Sequence, residues 1–184
     1  MKTGLLKYFF FTALLFNCGV LLSQNTSPAD TFPVPSGNMY QLFYLQRQPN
    51  TNTIVVELRV KEGKVDDEIP VHVFWQRYTE DGKRAELNFI QRKFAYGIQT
   101  KKIADGIFDL NFVSYRKIKF RLERGKDNFW RVYANLVNGS RMILRRVYLH
   151  INGGSFWKPR VEYVELKGND PVTYKEIRER VFLQ

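Results

Sequence analysis

From about Met39 onward, apolar and polar residues alternate in short runs broken by turn residues, the mark of strands buried on one face. Residues 39–47 and 53–60 flank Pro49-Asn50-Thr51-Asn52 and read as a hairpin. In the third strand, 71–79, Val71, Val73 and Trp75 point one way and His72, Phe74 and Gln76 the other. Five more strands are predicted over 107–114, 117–123, 129–137, 141–151 and 160–166. Asn138-Gly139, where both residues tolerate positive φ, reads as a two-residue hairpin turn.

Two stretches change period. Leu87, Ile90 and Phe94 fall at i, i+3 and i+7 with Gly97 behind them, which predicts an amphipathic helix over 84–96 closed by a C′ glycine. Tyr174, Ile177 and Val181, with Thr173 three residues before Glu176, predict a capped C-terminal helix over 173–181. The expected fold is mainly β: an antiparallel β-sandwich or open barrel of about eight strands, with one amphipathic helix after the third strand and a short C-terminal helix.

The N-terminus has a different pattern. Lys2 and Lys7 precede an apolar run over 8–22 that ends at Ser23, shorter than the ~20 residues a spanning helix needs. This predicts a signal peptide over 1–23 cleaved after Ser23, hence an exported protein, periplasmic or associated with the cell envelope, with no transmembrane segment left after processing. Residues 24–38, with Pro28, Pro33, Pro35 and Gly37, read as a flexible leader, and 39–184 as a single domain. Cys18 is the one cysteine and would leave with the signal, which excludes thiolate nucleophiles and cysteine metal sites from the remainder.

Several segments carry a resemblance: Gln41-Leu42-Phe43-Tyr44-Leu45-Gln46-Arg47, Pro49-Asn50-Thr51-Asn52-Thr53, Gln91-Arg92-Lys93-Phe94-Ala95-Tyr96-Gly97 and Gly153-Gly154-Ser155-Phe156-Trp157. From about Phe32 to Val181 the chain resembles a family of exported bacterial proteins numbered 4833 among the domains of unknown function. The resemblance implies a single domain and an exported address. It carries no activity and no catalytic residue.

Charge is placed unevenly along the chain. Residues 24–82 carry five Lys/Arg against eight Asp/Glu, residues 83–126 twelve against four, and residues 127–184 ten against six, or −3, +8 and +4. A basic middle points to an anionic partner. Export makes nucleic acid an unexpected one and favours an anionic lipid headgroup, a glycan or an acidic protein. With Ile118, Phe120 and Leu122 facing in, Lys117, Lys119 and Arg121 form a row spaced about 7 Å apart. If the loop over 125–128 lets Phe120 face Val132, Arg121 lies opposite Arg131 and Lys119 opposite Tyr133. The two-residue turn would then set Arg131 opposite Arg146 and Tyr133 opposite Leu144. The candidate ligand-binding set is therefore Lys119, Arg121, Arg131, Tyr133 and Arg146.

Catalytic material is sparse. His72 and His150 are the only histidines, and the sequence has no H-x-H, H-E-x-x-H or G-x-S-x-G motif. Asp66-Asp67-Glu68 is contiguous and lacks the separation that acid–base pairs use. The leading expectation is a non-enzymatic module, with no cofactor or metal, that binds an anionic partner through a basic sheet face. Its rivals are a hydrolase or metal-dependent enzyme using His72 or His150, and a structural subunit of an envelope assembly.

Overall fold

The computed structural model describes residues 27–116, 118–155 and 159–183. The expected signal peptide, its cleavage at Ser23, Cys18, Lys117 and the Phe156-Trp157 pair lie outside them. In chain order the strands are β1 (Gln41–Arg47), β2 (Thr53–Leu58), β3 (Val60–Lys61), β4 (Lys64–Val65), β5 (Val71–Arg77), β6 (Lys83–Glu86) and β7 (Ile98–Ala104). They continue with β8 (Ile107–Phe112), β9 (Lys119–Arg124), β10 (Trp130–Asn135), β11 (Arg141–Gly154), β12 (Pro159–Asn169) and β13 (Glu176–Phe182).

The fold is mainly β, but the sheet is mixed, because β1 runs parallel to β11. The strand order is β6-β5-β2-β1-β11-β10-β9-β8-β7, with β12 on the far side of β11 and β13 beyond it. Along one edge of β11, β10 pairs with 141–143 and β1 with 146–149, so the sheet forks there into two wings. The wings curl toward each other around one core. Phe43 of β1 meets Phe112 of β8 and Phe120 of β9 at ring distances of 6.2 and 5.8 Å. Ile54, Val56, Leu110, Leu122, Met142 and Leu144 fill the space between them without exposure.

Thirteen strands stand among the described residues where about eight were expected; the first predicted helix is shortened to 89–95 and the C-terminal one is replaced by a strand. Only 84–86 of the stretch 84–96 belongs to β6, paired with β5, and 89–95 is helical, wound as a π-turn over Gln91–Ala95. Leu87 is buried as the pattern required, whereas Ile90 and Phe94 face solvent. Gly97 is needed for space rather than for a left-handed φ, since a Cβ there would lie 1.9 Å from the Arg92 carbonyl oxygen. At the C-terminus, Asp170 Oδ1 accepts the N–H groups of Val172 and Thr173 at 2.9 and 2.7 Å, forming a turn that feeds β13 back along β12. Ile177 and Val181, four residues apart, share a face in a strand as well as in a helix, so the period was ambiguous there.

Both hairpins on the basic side use three-residue loops. Gly125 pairs with Phe129 around Asn128 at φ 65°, and Leu136 with Ser140 around Gly139 at φ 83°. The first loop shifts the expected register by two residues and keeps every face; Arg121 then stands opposite Tyr133 and Arg131 opposite Glu123. The second shifts it by one, so Tyr133 meets Ile143 instead of Leu144. A bulge at Arg145, where Leu144 pairs with Gly168 but Arg146 with Lys167, then reverses the alternation of β11. Met142 and Leu144 before the bulge and Val147 after it face the core, while Arg146, Tyr148 and His150 turn to the outer face.

Residues 27–33 fold onto that outer face. A 3₁₀ turn, Pro28–Thr31, is held by a capping box in which Ser27 Oγ accepts from Ala29 N and Asp30 Oδ2 accepts from Ser27 N. Ala29 is fully buried with Tyr148 and Tyr163, and Phe32 packs edge-on against Tyr148 at 5.7 Å. Gln46 Nε2 donates to the Pro33 carbonyl at 2.7 Å. The segment forms a strap across β1, β11 and β12.

Candidate functional site

Alternation in β8, β9 and β10 places Phe108, Leu110, Phe120, Leu122, Val132 and Ala134 in the core and their neighbours outward. The outward residues of adjacent strands meet in rows. One row runs Lys101, Asp109, Arg121, Tyr133; another runs Gln99, Asn111, Lys119. Asp109, Lys119, Arg121, Glu123, Tyr133, Asn135 and Arg141 line a depression of about 380 Å³.

Three of the five predicted site residues, Lys119, Arg121 and Tyr133, are brought together here. Arg131 turns away: its guanidinium donates two hydrogen bonds to Asp127, at 2.7 and 2.5 Å. That grip holds the Asp127 carboxyl at about 2, against an ordinary 3.8. Arg146 does not join the row either. The bulge and the strap bury it to 3% exposure beneath Asp30 and against Glu165. The expected ladder of three arginines is thus absent, and each of the three is paired with a carboxylate. Arg121 pairs with Asp109 at 2.9 Å and Arg141 with Glu123 at 2.9 Å.

Arg141, Asp109, Glu123 and Asn135 were missed by sequence reasoning. Their outward orientation was legible from alternation, but their convergence depended on the three-residue loops. Arg141 lies over the Tyr133 ring at 4.2 Å. Counting Lys101, Lys119, Arg121 and Arg141 against Asp109 and Glu123, this face carries two excess positive charges. On the same face the buried Oδ1 of Asn111 finds no hydrogen-bond partner among the described residues.

A second cleft, of about 620 Å³, lies at the other wing and is lined by Tyr40, Glu57, Arg59, Glu62, His72 and Arg92. His72 is held at both nitrogens. Arg84 Nη2 stands 3.0 Å from Nδ1, and Glu86 Oε2 stands 2.9 Å from Nε2. Because a guanidinium only donates, Nδ1 is the acceptor and Nε2–H donates to Glu86. Both ring nitrogens are thus engaged by neighbouring side chains. His150 stacks on Tyr163 at 4.6 Å. Its strand lies three positions from that of His72, about 14 Å at the usual strand spacing, so the two histidines do not converge. Among the described residues no group of three or more His, Cys, Asp or Glu is arranged to hold a metal, and no helix is long and apolar enough to cross a membrane.

Fold and face together define a curled, mixed-sheet β domain with a polar, cation-rich outer wall on one wing. The chain belongs to the family described as a domain of unknown function, DUF4833, whose model matches residues 43–180. No curated protein and no solved structure matches the chain.

Proposed function

We propose that the domain is an exported, non-enzymatic binding module whose outer face on β8–β11 takes an acidic, hydroxyl-rich ligand, an anionic glycan. The observation that carries this reading is the depression itself, where donors (Lys119, Arg121, Asn135, Arg141) and acceptors (Asp109, Glu123) alternate around Tyr133. A sugar hydroxyl needs both a donor and an acceptor, and a sugar carboxylate needs a cation. Arginine meets a carboxylate through two parallel bonds. The two arginine–carboxylate pairs on this face are partly exposed, each contributing about 0–1 kcal/mol, so an incoming carboxylate can displace them.

Charge reversal tests it. K119E/R121E/R141E is expected to weaken binding to an acidic polysaccharide, measured by calorimetry, roughly a hundredfold, and to flatten its salt dependence. Reversal at Lys64 and Lys83, which lie on β4 and β6 away from this face, should leave affinity within about twofold. Equal losses from both sets would mean diffuse charge and no site.

A further inference from the structure

The π-turn Gln91–Ala95 and the residues leading into it gather exposed apolar side chains within six positions. Phe89, Ile90 and Phe94 are 72, 52 and 62% exposed, in a molecule that buries most of its large side chains. The turn's geometry creates this patch. Tyr96 N donates to the Gln91 carbonyl at 2.8 Å, a bond spanning five residues, and this wider winding brings Phe89 and Phe94 to one side. Lys93 confirms the arrangement, its Nζ standing 5.4 Å from both rings.

Anchoring is firm beneath the patch. Leu87 is buried, Trp75 Nε1 donates to Gln91 Oε1 at 3.3 Å, and Asn88 Oδ1 accepts from Gln91 N at 2.8 Å. The turn is therefore a rigid knob with an apolar tip. From Asn88 to Gly97 it carries two cations, Arg92 and Lys93, and no carboxylate. Arg92 also lines the 620 Å³ cleft together with Tyr40, itself preceded by the highly exposed Met39.

We infer that this knob docks the protein onto an anionic lipid bilayer. Phe89, Ile90 and Phe94 enter the boundary between headgroups and acyl chains, and Lys93 and Arg92 meet lipid phosphates above them. An anionic bilayer surface has this same layering, a negative plane over an apolar one, and a Lys held beside aromatic rings serves both layers at once. A protruding turn of three apolar residues is too small to form a stable protein interface alone. The surface is separate from the sheet face on β8–β11 and does not depend on its ligand.

The test is co-flotation with vesicles of phosphatidylglycerol and phosphatidylethanolamine, against vesicles of phosphatidylcholine alone. The wild-type chain is expected to float with the anionic vesicles only. F89S/F94S, whose replaced rings are exposed and leave the core intact, should lower the bound fraction about tenfold or more, and K93E should do the same. F94W should show emission quenched by lipids brominated on the acyl chain. K119E/R121E, on the other wing, should float like wild type. The inference is overturned if wild type stays unbound, if F89S/F94S binds undiminished, or if K119E/R121E loses as much as F89S/F94S does. It is overturned as well if F89S/F94S turns a dimer into a monomer without altering flotation, which would assign the knob to a second copy of the chain.

Discussion

Arg146 and Glu165 face each other at 3.0 Å with side chains 3 and 1% exposed, and this buried pair holds up much of the outer face. Glu165 also accepts from Arg180 Nε at 2.9 Å, and Arg146 donates to the Ala29 carbonyl and to Asp30, both at 3.1 Å. Two desolvated charges contribute little net stability against an apolar pair, but removing Arg146 leaves the buried Glu165 with only the half-exposed Arg180 to compensate it. R146M is therefore expected to lower stability by about 3–5 kcal/mol in urea unfolding, while R146M/E165L recovers most of the loss. A single-mutant loss under about 1 kcal/mol would mean water relaxes the site. Sequence gave notice that Arg146 was unusual only through the irregular pattern of Arg141, Ile143, Arg145 and Val147, which no uniform alternation satisfies.

At the scale of elements, β11 shows how one inserted residue decides what a strand presents. Arg145 is the unpaired residue of the bulge and is exposed, its Nε bonded to Asn169 at 3.3 Å. R145A should change stability by no more than about 0.5 kcal/mol. Deleting Arg145 should turn Tyr148 and His150 into the core and Val147 out of it, and abolish the cooperative near-ultraviolet signal of the folded state. A folded deletion variant would show that the bulge can migrate along the strand. The strands with clean alternation, β8, β9 and β10, were legible from sequence because each has one apolar face. The shortening of the first helix and the loss of the second were not, since β6 is drawn into extension by pairing with β5, and β13 by the Asp170 turn. Pairing partners distant in sequence override local periodicity.

For the molecule as a whole, the strap ties the N-terminal segment to the last strands. Asp30 receives Arg178 Nη1 at 2.6 Å and Arg146 Nη2 at 3.1 Å, joining residue 30 to β13 and β11. Burial alone would raise its carboxyl, but hydrogen bonds from Arg178, the Ser27 N–H and Arg146 more than offset this and hold it at about 2, against an ordinary 3.8. A carboxylate lowered on folding contributes its full stabilisation above the unfolded value and loses it as pH falls through the folded one. Residues 27–35 are thus expected to stay protected from hydrogen exchange at pH 4 and to open between about pH 3 and pH 1. D30N should open them at neutral pH. Protection in D30N equal to wild type would mean that Ala29 and Phe32 hold the strap without the charge.

By itself the sequence determined the β character of the chain, the inward faces of the clean strands, the shortage of catalytic side chains and the outward direction of Lys119, Arg121 and Tyr133. These follow from local alternation and composition, which need no partner strand to be read. Tertiary structure alone decided the fork at β11, the parallel β1–β11 pair, the burial of Arg146 under the strap and the gathering of Asp109, Glu123 and Arg141 around Tyr133. Each depends on a register, and a shift of one residue exchanges the two faces of a strand. Two loop lengths and one bulge set those registers, and the energy that selects them is spread across strands far apart in the chain.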